Sequence, residues 1–79
     1  MAMPERHIKL IKDAIVEGLD RELKWNKDYI NAKRNTAESI MLVLADKLGY
    51  VHDGFDSSKF AQNMKIRLNE VVREHRFGA

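Results

Sequence analysis

Histidine is the first side chain to consider, because imidazole can both transfer protons and bind metals near neutral pH. The three histidines, His7, His52 and His75, fall in three separate segments. No two of them have the three- or four-residue spacing that lets a pair of imidazoles share a metal on one helix face. The chain also lacks cysteine, which excludes Cys-type zinc sites, iron–sulfur clusters and thiol catalysis. The sequence therefore predicts no metal site and no cofactor.

Serine, histidine and carboxylate side chains come together in one short segment, which runs from His52 through Asp53 to Ser57 and Ser58. A nucleophilic site needs such groups to converge on one point, and side chains so close in sequence rarely do. Serine is also common in the first turn of a helix, where it can cap the backbone. The four glycines are not clustered, so there is no phosphate-binding loop. We expect a protein that is not an enzyme.

Basic and aromatic side chains alternate in the polar stretch 21–35, where Trp25 and Tyr29 lie among five cations. The stretch 59–79 holds five more cations, whereas 36–58 is acidic and the net charge of the chain is only +2. Such asymmetry can indicate an anionic partner, although an ordinary solvated helical surface can carry it too. The five cations of the first stretch are Arg21, Lys24, Lys27, Lys33 and Arg34.

A protein partner is the favoured hypothesis, with Trp25, Tyr29, Lys33 and Arg34 as the contact surface. Tryptophan, tyrosine and arginine are the residue types that dominate binding hot spots. Four apolar residues also lie off the stripes that face the core, and if exposed together they would form a patch for a partner or a second copy of the chain. The alternative is that Trp25 and Tyr29 cover the open end of a helical bundle. The four apolar residues are Leu10, Leu42, Val43 and Ile66.

A nucleic acid is the alternative partner, because aromatic rings stack on bases and cations bind phosphates. The surface would combine residues 21–35 with the third helix. A helix-turn-helix motif does not fit, since the glycine-containing connection joins two long helices instead of two short ones. The contacts expected under this alternative are Lys24, Lys27, Lys65, Arg67 and Arg73.

Three helices must position these side chains, and the first is the clearest. Apolar residues recur at three- and four-residue steps after Pro4, which suits a first helical turn. This pattern predicts a helix over 5–24. Gly18 lies inside it, and we expect it to allow close packing against a neighbouring helix. The apolar stripe is Ile8, Ile11, Ile15, Leu19 and Leu23.

Two alternatives exist for the start of the second helix. In the favoured one, Asn26 caps a helix over 27–48, whose apolar stripe includes Ile30, Ala37, Met41, Leu44 and Leu48. In the other, Asn35 is the cap, with Glu38 completing a capping box. Residues 40–48 are apolar nearly all round, which predicts the most buried helix. Gly49 would then end the helix in the left-handed conformation.

The third helix has the strongest local signal. Asp56 is a good N-cap, and Phe55 before it is spaced to pack on Phe60 as a hydrophobic staple. The apolar residues that follow predict a helix over 57–76. Together the patterns predict an all-α protein, a single domain over 1–79 built as a small antiparallel three-helix bundle.

The amino-acid composition predicts the cellular location of the protein. The longest apolar run, residues 40–45, is far shorter than the ~20 residues of a membrane-spanning helix. Small secreted domains usually carry disulfides, so a chain without cysteine is expected in the cytoplasm. We expect no membrane association.

Two segments carry a resemblance to a known class of proteins. Leu44-Ala45-Asp46-Lys47-Leu48, followed by Gly54-Phe55-Asp56-Ser57-Ser58-Lys59-Phe60, resembles small uncharacterised phage-type helical proteins. The match covers only these segments, and the chain departs from the pattern in its glycine and acidic loop residues. The resemblance implies a phage or mobile-element accessory protein and transfers no functional residue.

Overall fold

The computed structural model describes residues 3–77 and contains three α-helices. They are α1 (Glu5–Trp25), α2 (Ile30–Val51) and α3 (Ser57–Phe77), and the described residues contain no strand. The predicted all-α three-helix bundle is confirmed. The predicted domain boundaries, 1–79, include residues 1, 2, 78 and 79, which lie outside the described part.

The direction of the helices follows from their polar contacts. Arg67 on α3 pairs with Asp13 on α1, and His75 further along α3 contacts Asp20 further along α1. The helices α1 and α3 are therefore parallel, and α2 runs antiparallel to both. Because they are parallel, the C-terminal ends of α1 and α3 lie at the same end of the bundle as the turn that leads into α2.

The core consists of two clusters of buried residues along the bundle. Among residues 3–77 eight are buried; the helix α3 supplies four of them, whereas α1 and α2 supply two each. The prediction that α2 would be the most buried helix is therefore wrong. The reason is geometric: α3 packs against both other helices, while α1 and α2 contact each other less and leave part of α2 uncovered. The clusters are Leu19, Leu23, Leu68 and Val71, and Met41, Ala45, Phe60 and Met64.

The start and the apolar stripe of α1 agree with the prediction. The carbonyl of Pro4 accepts hydrogen bonds from the backbone N–H groups of His7 and Ile8 at 3.0 and 3.2 Å. The last two residues of the stripe are buried, and the first three are half-buried against the core. The expectation for Gly18 is wrong, because a Cβ placed there would have no atom within 4 Å. Gly18 faces open space.

Both alternatives for the start of α2 are wrong. Asn26 follows α1 as its C-cap, and Asn35 lies within α2, which begins at Ile30 after Tyr29. The end of α2 also differs, since the helix continues through Gly49 to Val51. Gly49 has another use: a Cβ there would lie 2.7 Å from the Ser57 hydroxyl, so its absence lets α2 approach the start of α3 closely.

The start of α3 agrees with the prediction in detail. The Asp56 carboxylate accepts a hydrogen bond from the backbone N–H of Lys59 at 3.0 Å, which makes it the N-cap. The rings of Phe55 and Phe60 pack with centroids 5.4 Å apart, as a hydrophobic staple requires. The loop before the cap turns at Gly54, whose φ of 83° is the left-handed region that favours glycine.

None of the three helices is long and apolar enough to span a membrane within the described residues.

Candidate interaction surface

The turn between α1 and α2 exposes two aromatic side chains at one end of the bundle. Trp25 is 87% exposed and Tyr29 is 82% exposed. The sequence-based alternative, in which these rings cover the end of the bundle, is wrong. They also do not share a helix face, because α1 ends at Trp25 and Tyr29 precedes α2. Tyr50 and Phe77 are exposed to a similar degree, at 91% and 82%, so exposure alone does not distinguish the turn.

Internal hydrogen bonds and an ion pair link the residues of this turn to one another and to α1 and α2. The Asn26 backbone N–H donates to the Glu22 carbonyl at 2.9 Å, and the Asn26 side-chain oxygen accepts from the Asp28 backbone N–H at 2.7 Å. The Lys33 ammonium donates to the Asn26 carbonyl at 2.6 Å and pairs with the Glu22 carboxylate at 3.3 Å. The lysine thus links the first turn of α2 to the end of α1, and its side chain is only 20% exposed.

Tyr29 has an unusual backbone conformation. Its φ of 57° and ψ of 40° lie in the left-handed region, and it is the one non-glycine residue with positive φ in the described chain. Glycine or asparagine adopts this conformation at lower cost, and other residues held in it typically lose about 1–3 kcal/mol. The Tyr29 carbonyl accepts the Lys33 backbone N–H at 2.9 Å, so the residue starts α2. The Tyr29 side chain is exposed, so its ring makes few contacts within the fold.

Arg34 links α2 to α3. Its Nε donates to the Asn69 side-chain oxygen at 2.9 Å, and its Nη1 pairs with the Glu38 carboxylate at 3.0 Å. The side chain is 17% exposed. The four residues predicted to bind a partner therefore divide into two pairs: Trp25 and Tyr29 face solvent, whereas Lys33 and Arg34 have partners within the fold.

The cations expected under the nucleic-acid alternative do not form one surface. Lys24 pairs with Asp20, and Arg67 pairs with Asp13, each at 3.0 Å. The other three are exposed, and within residues 3–77 they make no ion pair. They lie apart, one in the first turn and two along α3. These three are Lys27, Lys65 and Arg73.

A second group of cations was not singled out from the sequence. Arg6, Lys9 and Lys12 line an open groove of about 730 Å³ between α1 and α3, together with Arg67. The three-residue spacing of the first three was the signal that could have found them, since it keeps them on one side of a helix. Glu5 and Asp13 line the same groove and offset part of the charge.

The four apolar residues predicted to form one patch are all exposed, but they do not lie together. Ile66 lines the groove between α1 and α3. Val43 lies one turn from Ile40, which lines a different cleft between α1 and α2. The prediction of a single patch is therefore wrong, because which side of α2 faces α3 depends on tertiary packing. Ile40, itself exposed, was not among the residues singled out.

The three histidines lie on different elements of the bundle. His75 Nε2 lies 2.7 Å from Asp20 Oδ1 and joins α3 to α1. That hydrogen bond, with a second one from Lys24, lowers the pKa of Asp20 below its ordinary value. His52 caps the end of α2, and His7 is in the first turn of α1. Within residues 3–77, no group of three or more histidine and carboxylate side chains could hold a metal ion.

No family model, curated protein or solved structure matches this chain.

Proposed function

We propose that this chain is a small, non-catalytic helical protein that acts by binding another protein through the turn between α1 and α2. In this proposal Trp25 and Tyr29 contact the partner. Lys33 and Arg34 are positioning residues, because one holds the turn and the other holds α2 against α3. The observation that carries the proposal is the exposure of two large rings on a turn fixed by internal hydrogen bonds.

The energetics of binding favour such a surface. A tryptophan or tyrosine that enters a partner's pocket commonly accounts for about 2–4 kcal/mol when it is truncated to alanine. Ordering a flexible side chain or loop on binding costs about 0.5–1.5 kcal/mol for each side chain. The hydrogen bonds of Asn26 and Lys33 order the backbone before the partner arrives, so less of that cost falls on binding.

The proposed role is that of an accessory or regulatory factor in the cytoplasm. The resemblance of residues 44–48 and 54–60 to phage-type helical proteins supports a phage or mobile-element origin. A helical domain of this size without disulfides suits a reducing compartment.

The first test compares partner capture by matched variants. The tagged chain would be expressed in its source cells and crosslinked, and the retained proteins would be compared for wild type, Trp25→Ala, Tyr29→Ala and Tyr50→Ala. Tyr50 is an equally exposed aromatic residue in the last turn of α2, at the opposite end of the bundle. The proposal expects a partner retained by wild type and Tyr50→Ala and lost from the two turn variants. Equal retention by all four would overturn it.

The positioning role of Lys33 has its own readout. Lys33→Met removes the ammonium but keeps the aliphatic stem, so both contacts to the end of α1 are lost. We expect faster hydrogen exchange at the Asp28 and Lys33 amides in the free protein, with unchanged helicity. A direct contact role would instead lower partner affinity and leave exchange in the free protein unaltered.

Nucleic-acid binding is the second candidate. Lys27 lies in the turn between the two exposed rings and has no ion pair among the described residues, and the groove between α1 and α3 adds further cations. Trp25 is the single tryptophan of the chain, so its fluorescence reports the turn directly. Titration with a single-stranded oligonucleotide and with a duplex at low salt would quench this fluorescence if bases stack on the ring. Quenching that disappears as salt rises would favour this candidate over a protein partner.

A further inference from the structure

A charged stripe runs along one face of α1, and none of its five members is buried. Successive members are three, four, four and three residues apart, and these spacings keep them on the same side of a helix. The sign of the charge changes along the stripe, from basic at the N-terminal end to acidic at the C-terminal end. The members are Arg6, Lys9, Asp13, Glu17 and Asp20.

The charged stripe is symmetric in spacing about Asp13 but opposite in charge. Lys9 lies four residues before Asp13 and Glu17 four residues after it, so each is about 6 Å from Asp13 along the helix axis. Arg6 and Asp20 lie seven residues before and after it, about 10 Å away. Reversal of the helix about Asp13 therefore places each basic residue opposite an acidic one. A second copy of this helix carries the charges that the stripe requires of a partner.

Three members of the charged stripe are available to a partner. Arg6, Lys9 and Glu17 are exposed, and none of them makes an ion pair within the described part of the chain. Leu10 shares their face and is 66% exposed, and the exposed Ala14 follows it by one turn. A reversed copy would place Leu10 of one chain beside Ala14 of the other, which adds an apolar contact to the charges.

The other two members already have partners inside the protomer. Asp13 pairs with Arg67 at 3.0 Å, and Asp20 pairs with His75 at 2.7 Å and with Lys24, one turn further along the stripe, at 3.0 Å. Asp13 is the member that would meet its own copy at the centre. Because Arg67 neutralises it there, the stripe brings no two unpaired like charges together.

The neighbouring surface of α3 has the same polarity. Lys59 lines the cavity between the N-terminal ends of α1 and α3, where Asp56 is held as the N-cap. Glu70 and Glu74 line the groove towards the C-terminal ends of the two helices. A reversed second copy therefore also brings the basic end of one α3 towards the acidic end of the other, so the charge complementarity extends beyond α1.

We propose that two copies of this chain associate through the charged stripe, with their α1 helices antiparallel and a two-fold axis at the level of Asp13. Lys9 of each protomer then lies opposite Glu17 of the other, and Arg6 lies opposite Asp20. An isologous interface must be self-complementary, and a stripe whose charge reverses about its own centre meets that requirement with one rotation. This surface is separate from the turn that carries the exposed rings, and the inference does not depend on the function proposed for them.

The interface is small, because it consists mainly of one helix against its copy with exposed ion pairs. Exposed ion pairs contribute little each and are screened by salt. We therefore expect a weak, reversible dimer with a dissociation constant of about 20 to 500 µM at low salt. The dissociation constant should rise when salt is added to about 0.3 M. A dimer that is indifferent to salt would have another interface and would overturn the proposal.

Charge reversal at Lys9 and Glu17 is the decisive test. Sedimentation equilibrium of the full chain from about 10 µM to about 1 mM compares wild type with Lys9→Glu, Glu17→Lys and the double variant. Each single change sets like charges opposite each other at two places, so we expect the dissociation constant to rise about tenfold or more. The double variant inverts both charges and keeps the net charge, so its dissociation constant should return to within about threefold of wild type. Circular dichroism checks that each variant is folded.

Lys47→Glu is the matched control, since Lys47 is an exposed lysine of α2 without an ion pair among residues 3–77. It changes the net charge as Lys9→Glu does and should dimerise like wild type. Equal weakening by this control would assign the effect to net charge and overturn the proposal. A wild type that stays monomeric, or a folded double variant that is not restored, would also overturn it. A monomer whose Lys9→Glu variant loses a captured protein would assign the stripe to a different partner, which overturns it too.

The antiparallel arrangement has a test of its own. The chain contains no cysteine, so a single introduced one reports the distance between two copies of one position. Along the helix axis, the two copies of residue 14 would lie about 3 Å apart and those of residue 21 about 24 Å apart. Under mild oxidation Ala14→Cys should therefore form a disulfide-linked dimer much faster than Arg21→Cys, although both positions are exposed. Equal rates would overturn the antiparallel pairing.

Discussion

Asp20 Oδ1 and His75 Nε2 lie 2.7 Å apart and join the C-terminal parts of α1 and α3. The other carboxylate oxygen of Asp20 pairs with Lys24 one turn later on α1, at 3.0 Å. The aspartate therefore has two donors, one from its own helix and one from a neighbour. This contact is adjacent to the turn that carries Trp25, so it holds the two helices together where the proposed partner would bind.

Acid should weaken the fold through Asp20. The hydrogen bonds from His75 and then Lys24 hold its pKa below the unfolded value of about 3.9. A group with a lowered pKa in the folded state stabilises the fold above its unfolded pKa, and this contribution is lost as pH falls through the folded pKa. We expect the unfolding free energy to drop below about pH 4.

The Asp20→Asn variant tests this assignment. It should be less stable than wild type at pH 7 and should show a shallower loss of stability in acid, measured by urea denaturation from neutral pH downwards. An acid dependence as steep as that of wild type would assign the titrating group elsewhere.

Truncation of a core side chain of α3 should strongly lower the free energy of unfolding. Leu68 is fully buried, and Leu68→Ala is expected to cost about 2–5 kcal/mol. The free energy of unfolding of a domain of this size is only about 4–12 kcal/mol in total. Much of the variant should therefore be unfolded by mild heating. Ile66→Ala, two residues away on the exposed side of the same helix, should change stability by less than about 0.5 kcal/mol. Thermal denaturation followed by circular dichroism compares the two.

Substitution by alanine should change the free energy of unfolding by different amounts at the two helical glycines. Gly18→Ala adds a methyl group in open space and removes the helix-interior cost of glycine, so we expect a gain of about 1 kcal/mol. Gly49→Ala should gain less, because its Cβ would lie 2.7 Å from the Ser57 hydroxyl, which must rotate away. Urea denaturation measures both. An equal gain at the two sites would show that the Ser57 hydroxyl rotates away from the added methyl group without a measurable cost.

The start of α3 was predictable from sequence because its signals are local. Asp56, Phe55 and Phe60 lie within six residues, and both the cap and the staple are made by these side chains and the nearby backbone. The start of α2 was not predictable in this way. Its position depends on the Lys33 side chain, which reaches back seven residues to the Asn26 carbonyl, and on the left-handed conformation of Tyr29, which tyrosine rarely adopts.

The candidate site was predictable in part for a related reason. Trp25 and Tyr29 were identified by residue type, and their exposure agrees with a role on the surface. The internal role of Arg34 depends on Asn69, thirty-five residues away, so no local pattern could indicate it. The exposure of Val43 likewise depends on which side of α2 packs against α3.

Stability and binding should change in opposite directions at Tyr29. Tyr29→Gly relieves the left-handed backbone strain, and the exposed ring loses few contacts within the fold. We expect the variant to be more stable than wild type by up to about 1 kcal/mol, because glycine adopts positive φ without steric cost but loses more entropy on folding. It should at the same time lose the captured partner. Tyr29→Asn, which also tolerates this conformation, separates the backbone effect from glycine flexibility. If both variants were less stable than wild type, the tyrosine ring would have a structural role in the turn, and its assignment as a partner contact would fail.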